Sequence, residues 1–253
     1  MNQENKSSPN VMQMVLVGLL IGAAFFIGML WTKVQTLEST GAPSFGNNGN
    51  NGNNAPVAGN NAAPEVGSAK DLDPVTKDDW VKGNRNARFA LVEYSDIDCP
   101  YCIRFHPTAQ KLVTERKDDF MWVFRHFPLD SLHPNARRKA EAAECAGKIG
   151  GNDKFWAFLD EAVAQGSSVG PDKMGDIAAK IGVNAASFKT CYDANQVKDL
   201  VAADEASGSK AGVQGTPGNI LLDTKTGATI LVPGAVPYET LLTYVQKLTD
   251  AAK

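Results

Sequence analysis

An α/β sandwich with strands on both sides of a helical insertion is the fold this sequence predicts, and three patterns predict it. First, the apolar run Phe89-Ala90-Leu91-Val92-Glu93-Tyr94 is followed by a helical stretch and a second run, Phe120 to Phe127. Second, successive helical stretches occupy residues 132–195. Third, two short apolar runs, Asn219 to Asp223 and Ala228 to Val232, flank Lys225-Thr226-Gly227 and read as a hairpin.

The chain has 253 residues, 43% hydrophobic and 21% charged, enough for one domain with a sizeable core plus accessory segments. Its net charge of -3 supplies no basic field for phosphates, which argues against nucleic acid as a partner.

Residues 1–10 form a short polar N-terminus, and Val11 to Trp31 runs without a charge. About 20 apolar residues cross roughly 30 Å of hydrocarbon, whereas a signal-peptide core has about 7–15. Residues 11–31 are therefore expected to be an uncleaved transmembrane anchor. Trp31 and Lys33 suit one membrane interface, while Lys6 against Glu4 leaves orientation to be set by function. Residues 32–71 read as a flexible linker, because the stretch from Gly41 is rich in Asn, Gly, Ala and Pro and cannot build a core. About 30 such residues span roughly 30 Å.

The folded domain is expected over 72–253. Asp78-Asp79-Trp80-Val81-Lys82-Gly83 opens it, and the Phe89 run suits a buried strand. Cys102 to Glu115 reads as a helix with Phe105, Leu112 and Val113 on one side and Pro107 as a kink. The Phe120 run ends at Pro128, and a strand, helix, strand unit of this length implies a parallel pair with a right-handed crossover. Helical stretches follow at Pro134 to Lys148, Asp153 to Gln165, Pro171 to Ile181 and Ala185 to Asp193, with one more from Gln196 to Ala211. A last helix, Tyr238 to Ala251, repeats Leu241, Leu242, Val245 and Leu248 at helical spacing.

The chemistry concentrates at Cys99-Pro100-Tyr101-Cys102, where a strand ends and a helix starts. Unpaired backbone N–H groups and the helix dipole favour a thiolate there, which makes Cys99 the expected nucleophile. Cys102, one turn inside the helix, is the expected resolving thiol, and Pro100 suits the first helical turn because it lacks an N–H. Half of a zinc site is the alternative for such a pair. No second CxxC accompanies it, and His106, His126 and His133 are singly placed, so no metal or cofactor is assigned.

These residues resemble the thioredoxin superfamily, specifically its DsbA-like branch. The resemblance covers Asp78 to Lys253 and rests on the CPYC at the strand-helix junction, Glu93 six residues before Cys99, the mid-domain helical block, and Gly212-Val213-Gln214-Gly215-Thr216-Pro217. It implies a thioredoxin-like fold, a central mixed sheet with flanking helices and an inserted helical subdomain. It also implies a cis Pro217 against the cysteine pair, Thr216 presenting backbone to an extended substrate peptide, and Glu93 as a buried acid that moves protons to and from Cys102. Asp96 and Asp98 depart from the aromatic residues common before the first cysteine, and two negative charges there are expected to oppose thiolate formation. Tyr101 replaces a histidine and points the same way. His106 reads as a surface helix residue.

Cys145 and Cys191 fall in the insertion, where some relatives of this type carry a second, non-catalytic disulfide; the alternative is two buried free thiols. Such a bridge would contribute about 3–4 kcal/mol in the chain-entropy picture. The resemblance further implies thiol-disulfide exchange, with disulfide donation to exported, reduced or unfolded proteins as the forward direction. The implied partner is a quinone-linked membrane reoxidase, or an electron donor if the chain is a reductase. An isomerase, a peptide-binding chaperone and a metal carrier are the remaining alternatives. Such a domain belongs on the periplasmic or extracytoplasmic side of the cell membrane, with the anchor N-in and C-out.

Overall fold

The computed structural model describes residues 64–252. The expected N-terminal segment 1–10, the anchor 11–31 and the linker as far as residue 63 lie outside the described residues. Among the described residues no helix is long and apolar enough to cross a membrane.

The elements follow in the order β1 (Trp80–Gly83), β2 (Phe89–Ser95), α1 (Pro100–Glu115), β3 (Phe120–His126), α2 (Ala136–Gly150), α3 (Asn152–Gln165), a 3-10 turn (Pro171–Lys173), α4 (Met174–Lys180), α5 (Ala185–Asp193), α6 (Lys198–Lys210), β4 (Gly218–Asp223), β5 (Thr229–Pro233) and α7 (Tyr238–Ala251). The described strands form one mixed sheet in the order β1-β3-β2-β4-β5. β2 and β3 are parallel, and the other neighbours are antiparallel. β2 therefore lies in the middle of the sheet, buried along its whole length, which is why it reads as a continuous apolar run.

Alternation along the strands divides the core between the two sheet faces. Phe89, Leu91, Trp122, Phe124 and Leu221 pack with α1, α3 and α7 on one face; Ala90, Val92, Tyr94, Val123 and Ile220 pack on the other. β1 is the strand that periodicity does not announce. It is four residues long, and its extended form comes from antiparallel pairing with β3, Val81 opposite Val123.

Between β3 and β4 the chain is helical. Cys145 of α2 and Cys191 of α5 are joined by a disulfide with Cα atoms 5.9 Å apart. Trp80 stacks on Phe155 at 4.7 Å, so β1 and α3 share an aromatic contact.

Residues 64–71, assigned to the linker on composition, belong to the fold. Gly67 N–H donates to Thr229 O at 2.6 Å, the Ser68 hydroxyl accepts from Leu231 N at 2.8 Å, and Thr229 Oγ1 donates to Ala69 O at 2.7 Å. The segment covers the outer edge of β5 through backbone and hydroxyl bonds, which need no apolar side chains and so leave no trace in composition.

Candidate active site

The site is built where β2, in the centre of the sheet, gives way to α1. Cys99 is the N-cap of α1 with φ -70° and ψ 122°, and Pro100 takes the first helical turn. The unpaired N–H groups of that turn are thereby aimed at the cysteine sulfur. The helix starts two residues earlier than its apolar pattern shows and continues through Pro107.

The peptide bond between Thr216 and Pro217 is cis. This loop lies across from the cysteine pair, with the Cys99 thiol donating to Thr216 O at 3.5 Å. The Thr216 hydroxyl is buried with no other hydrogen-bond partner among the described residues, and it acts on the same sulfur. Interaction with the Cys102 thiol, then with the Thr216 hydroxyl and the backbone N–H groups of Cys102 and Tyr101, outweighs desolvation and holds Cys99 at about 5. Cys102 moves the opposite way. Burial raises its pKa, and the neighbouring Cys99 and Glu93 add to the rise. One thiol is thus an anion at neutral pH while the other keeps its proton. Tyr101 is exposed, with the Arg104 guanidinium 5.0 Å from its ring centroid.

Glu93 is buried beneath this pair. Desolvation lifts its pKa to about 7 against two opposing hydrogen bonds, from the Ser95 hydroxyl to Oε1 at 2.7 Å and from Trp122 Nε1 to Oε2 at 3.0 Å. Its cross-strand neighbour on β4 is Asn219, also buried, whose Oδ1 has no hydrogen-bond partner among the described residues.

Two expectations are overturned here. Asp96 and Asp98 do not present their charges to Cys99. Asp96 turns inward to accept from the N–H groups of Asp98 and Leu129 and from His133 Nδ1, each at 2.8 Å. Asp98 is paired with Lys139 from α2. Neither aspartate is among the largest influences on the Cys99 thiol, and each carboxylate is met by its own partners. His106 is not a surface residue either. It is buried, bonded through Nε2 to Asp160 Oδ1 at 2.8 Å and packed edge-on against Trp122.

Sequence reasoning missed Ser95, Trp122, His133 and Lys139. Ser95 carried a usable signal, since residues two apart in a strand share a face and Ser95 follows Glu93 at that spacing. The others reach the site from distant parts of the chain.

A family model described as thioredoxin matches residues 75–245. The chain belongs to the thioredoxin family. Its similarity to solved structures includes DsbA2 of Pseudomonas aeruginosa, 25% identical with a TM-score of 0.59, covering 69% of this chain and 97% of that one. A thioredoxin-like oxidoreductase from Silicibacter pomeroyi DSS-3 is 26% identical with a TM-score of 0.59, covering 69% and 94%. Within the superfamily this thioredoxin domain is DsbA-like, the architecture of a protein thiol-disulfide oxidoreductase. Among curated proteins it is similar to the Na(+)/H(+) antiporter NhaA 1 of Salinispora arenicola, 33% identical over 145 residues, which are 57% of this chain. That match spans only 22% of the antiporter's length.

Proposed function

We propose that this thioredoxin-family chain donates disulfides to reduced or unfolded exported proteins through Cys99 and Cys102. The observation that carries the reading is the place of Cys99 at the N-terminus of α1 with its thiol 3.5 Å from Thr216 O, where the helix N–H groups and the neighbouring thiol favour the thiolate. Stabilising one thiolate favours the dithiol over the disulfide, so the disulfide is readily given away.

The exchange runs in two steps. A substrate thiolate attacks Cys99 Sγ, the Cys99–Cys102 bond breaks, and its electron pair leaves on the Cys102 sulfur. A second substrate thiolate attacks the substrate sulfur of the mixed disulfide and expels Cys99 as a thiolate. The substrate leaves oxidised by two electrons and the enzyme holds them. Thr216 offers its backbone to an extended substrate strand beside Cys99, Pro217 holds that loop in place, and Glu93 serves the proton that Cys102 gains or loses. Pro100 and Tyr101 shape the helix entrance, and Cys145–Cys191 staples the inserted helices. A quinone-linked membrane partner would reoxidise the pair. The anchor at 11–31, N-in and C-out, would keep both proteins on one membrane with the domain periplasmic or extracytoplasmic.

The test is the equilibrium of the full-length chain with glutathione. A potential near the roughly -120 mV of strong oxidants supports donation. A value near about -270 mV overturns it and makes the chain a reductase fed with electrons.

A further inference from the structure

We propose that the Ser95 hydroxyl carries the proton between Cys102 and Glu93, which makes Ser95 a catalytic residue of the site; this rests on the exchange reading above. Ser95 ends β2 two residues after Glu93, so the pleat places both side chains on one sheet face, the face that α1 covers with Phe105 and Leu112. The hydroxyl is buried and donates to Glu93 Oε1 at 2.7 Å, and it lies near enough to the Cys102 sulfur to favour its thiolate against burial. Trp122 Nε1 occupies the other carboxyl oxygen, so Oε1 is the one left facing Ser95.

A hydroxyl has one proton and two lone pairs, so Ser95 cannot donate to Glu93 and to Cys102 at once. With Cys102 a thiol and Glu93 a carboxylate, Ser95 donates to the carboxylate and its oxygen is free to accept the S–H. With Cys102 a thiolate and Glu93 protonated, Ser95 donates to the sulfur and accepts from the carboxylic acid. The two arrangements differ by two proton shifts and no heavy-atom displacement.

The exchange steps then balance. When substrate attack breaks the Cys99–Cys102 bond, the departing Cys102 sulfur takes the Ser95 proton as Ser95 takes that of Glu93, leaving a thiol and a carboxylate. In the reverse direction Cys102 gives its proton to Ser95, Ser95 gives its own to Glu93, and the Cys102 sulfur attacks Cys99 and expels the substrate thiolate. Glu93 is suited to both directions because burial among Trp122, Asn219 and the two thiols places it at about 7.

The experiment follows the reduced full-length chain, with Cys145–Cys191 bridged, reacting with 5,5′-dithiobis(2-nitrobenzoate) from about pH 5 to about pH 9. The first release of coloured thiolate reports attack by Cys99, and the second reports attack by Cys102 on the mixed disulfide. Ser95→Ala is expected to slow the second release roughly a hundredfold at neutral pH, the low end for a positioned proton-transfer group, and to abolish its midpoint near 7. The first release should stay within about twofold, and Ser95→Thr, which keeps the hydroxyl, should restore the second. A second release that keeps its rate and midpoint in Ser95→Ala overturns the relay, as does an equal slowing of both releases, the mark of a structural role. An unaltered chain with no second release overturns the exchange reading itself and the relay with it.

Discussion

Lys139, in the first turn of α2, pairs with Asp98, the residue immediately before Cys99, and the two side chains are 1% and 6% exposed. The inserted helices therefore reach into the redox loop with a charge of the sign that loop lacks. Lys139 also donates to Ser167 O at 3.4 Å, so its ammonium group is held from two sides. A buried carboxylate without this partner would stand one residue from the Cys99 thiolate and oppose it.

Lys139→Met tests this arrangement. Removing one partner of a buried pair costs about 3–5 kcal/mol, because the other charge stays buried and uncompensated. Urea unfolding should show a loss of that order, and the Cys99 titration should move upward. The double variant Lys139→Met/Asp98→Asn removes the stranded charge and should recover most of both. A single variant with an unchanged Cys99 titration would show that Asp98 is electrostatically remote from the thiol.

Alkylation of the reduced protein by iodoacetamide should follow the Cys99 thiolate, with a midpoint at about 5 in place of the ordinary thiol value of 9.0. The sign for stability follows from linkage. A thiol whose folded pKa is depressed contributes stability that is present above 9.0 and lost as pH falls through about 5. The disulfide form has no such group. The melting temperature of the dithiol form should therefore gain on that of the disulfide form as pH rises from about 4 to about 8. A constant difference across that range would contradict the low Cys99 value.

Glu93 behaves in the opposite sense. Its folded pKa of about 7 lies above the ordinary 4.5, so its stabilising contribution is present below 4.5 and lost as pH rises through about 7. Glu93→Gln removes the charge and should stabilise the protein at about pH 8 by up to about 3 kcal/mol, with little effect near pH 4. Calorimetry at the two pH values reads this directly. Equal stability at both would mean that Glu93 is not desolvated.

The legible part of the molecule is what short-range pattern encodes. The strand from Phe89 and the parallel strand from Phe120 carry the apolar runs that burial on both faces requires, and the hairpin of Asn219 to Asp223 with Ala228 to Val232 is marked by two short apolar runs around Lys225-Thr226-Gly227. Cys99 and Cys102 are legible because they are neighbours in sequence as well as in space, whereas Pro217, whose loop meets Cys99 across 117 residues at Thr216, is legible only through the family resemblance. Asp96 and Asp98 mislead for the converse reason. Their charges are met by His133 and Lys139, which lie 37 and 41 residues away. Lys139 itself follows Arg137 and Arg138, and a run of three cations reads as a solvated helix face. His106 is hidden in the same way, its carboxylate partner Asp160 standing on α3, 54 residues on.

The bridge between Cys145 and Cys191 closes 46 residues that hold α2 through α5 together. In the chain-entropy picture this constraint on the unfolded state is worth about 4 kcal/mol, and both half-cystines are buried, so truncation also leaves small voids. Cys145→Ala/Cys191→Ala should therefore lower the melting temperature by roughly 10 °C or more for a domain of this size. The same helix α2 carries Lys139, yet α2 is independently fastened to β1 through Glu144, which accepts from Trp80 Nε1 at 2.7 Å. The Cys99 alkylation midpoint should consequently stay near its value of about 5 in the bridged protein, even as the variant melts earlier. A variant whose Cys99 titration rises together with the loss of stability would show that the bridge, and not the packing of α2 on β1, sets the position of Lys139 against Asp98.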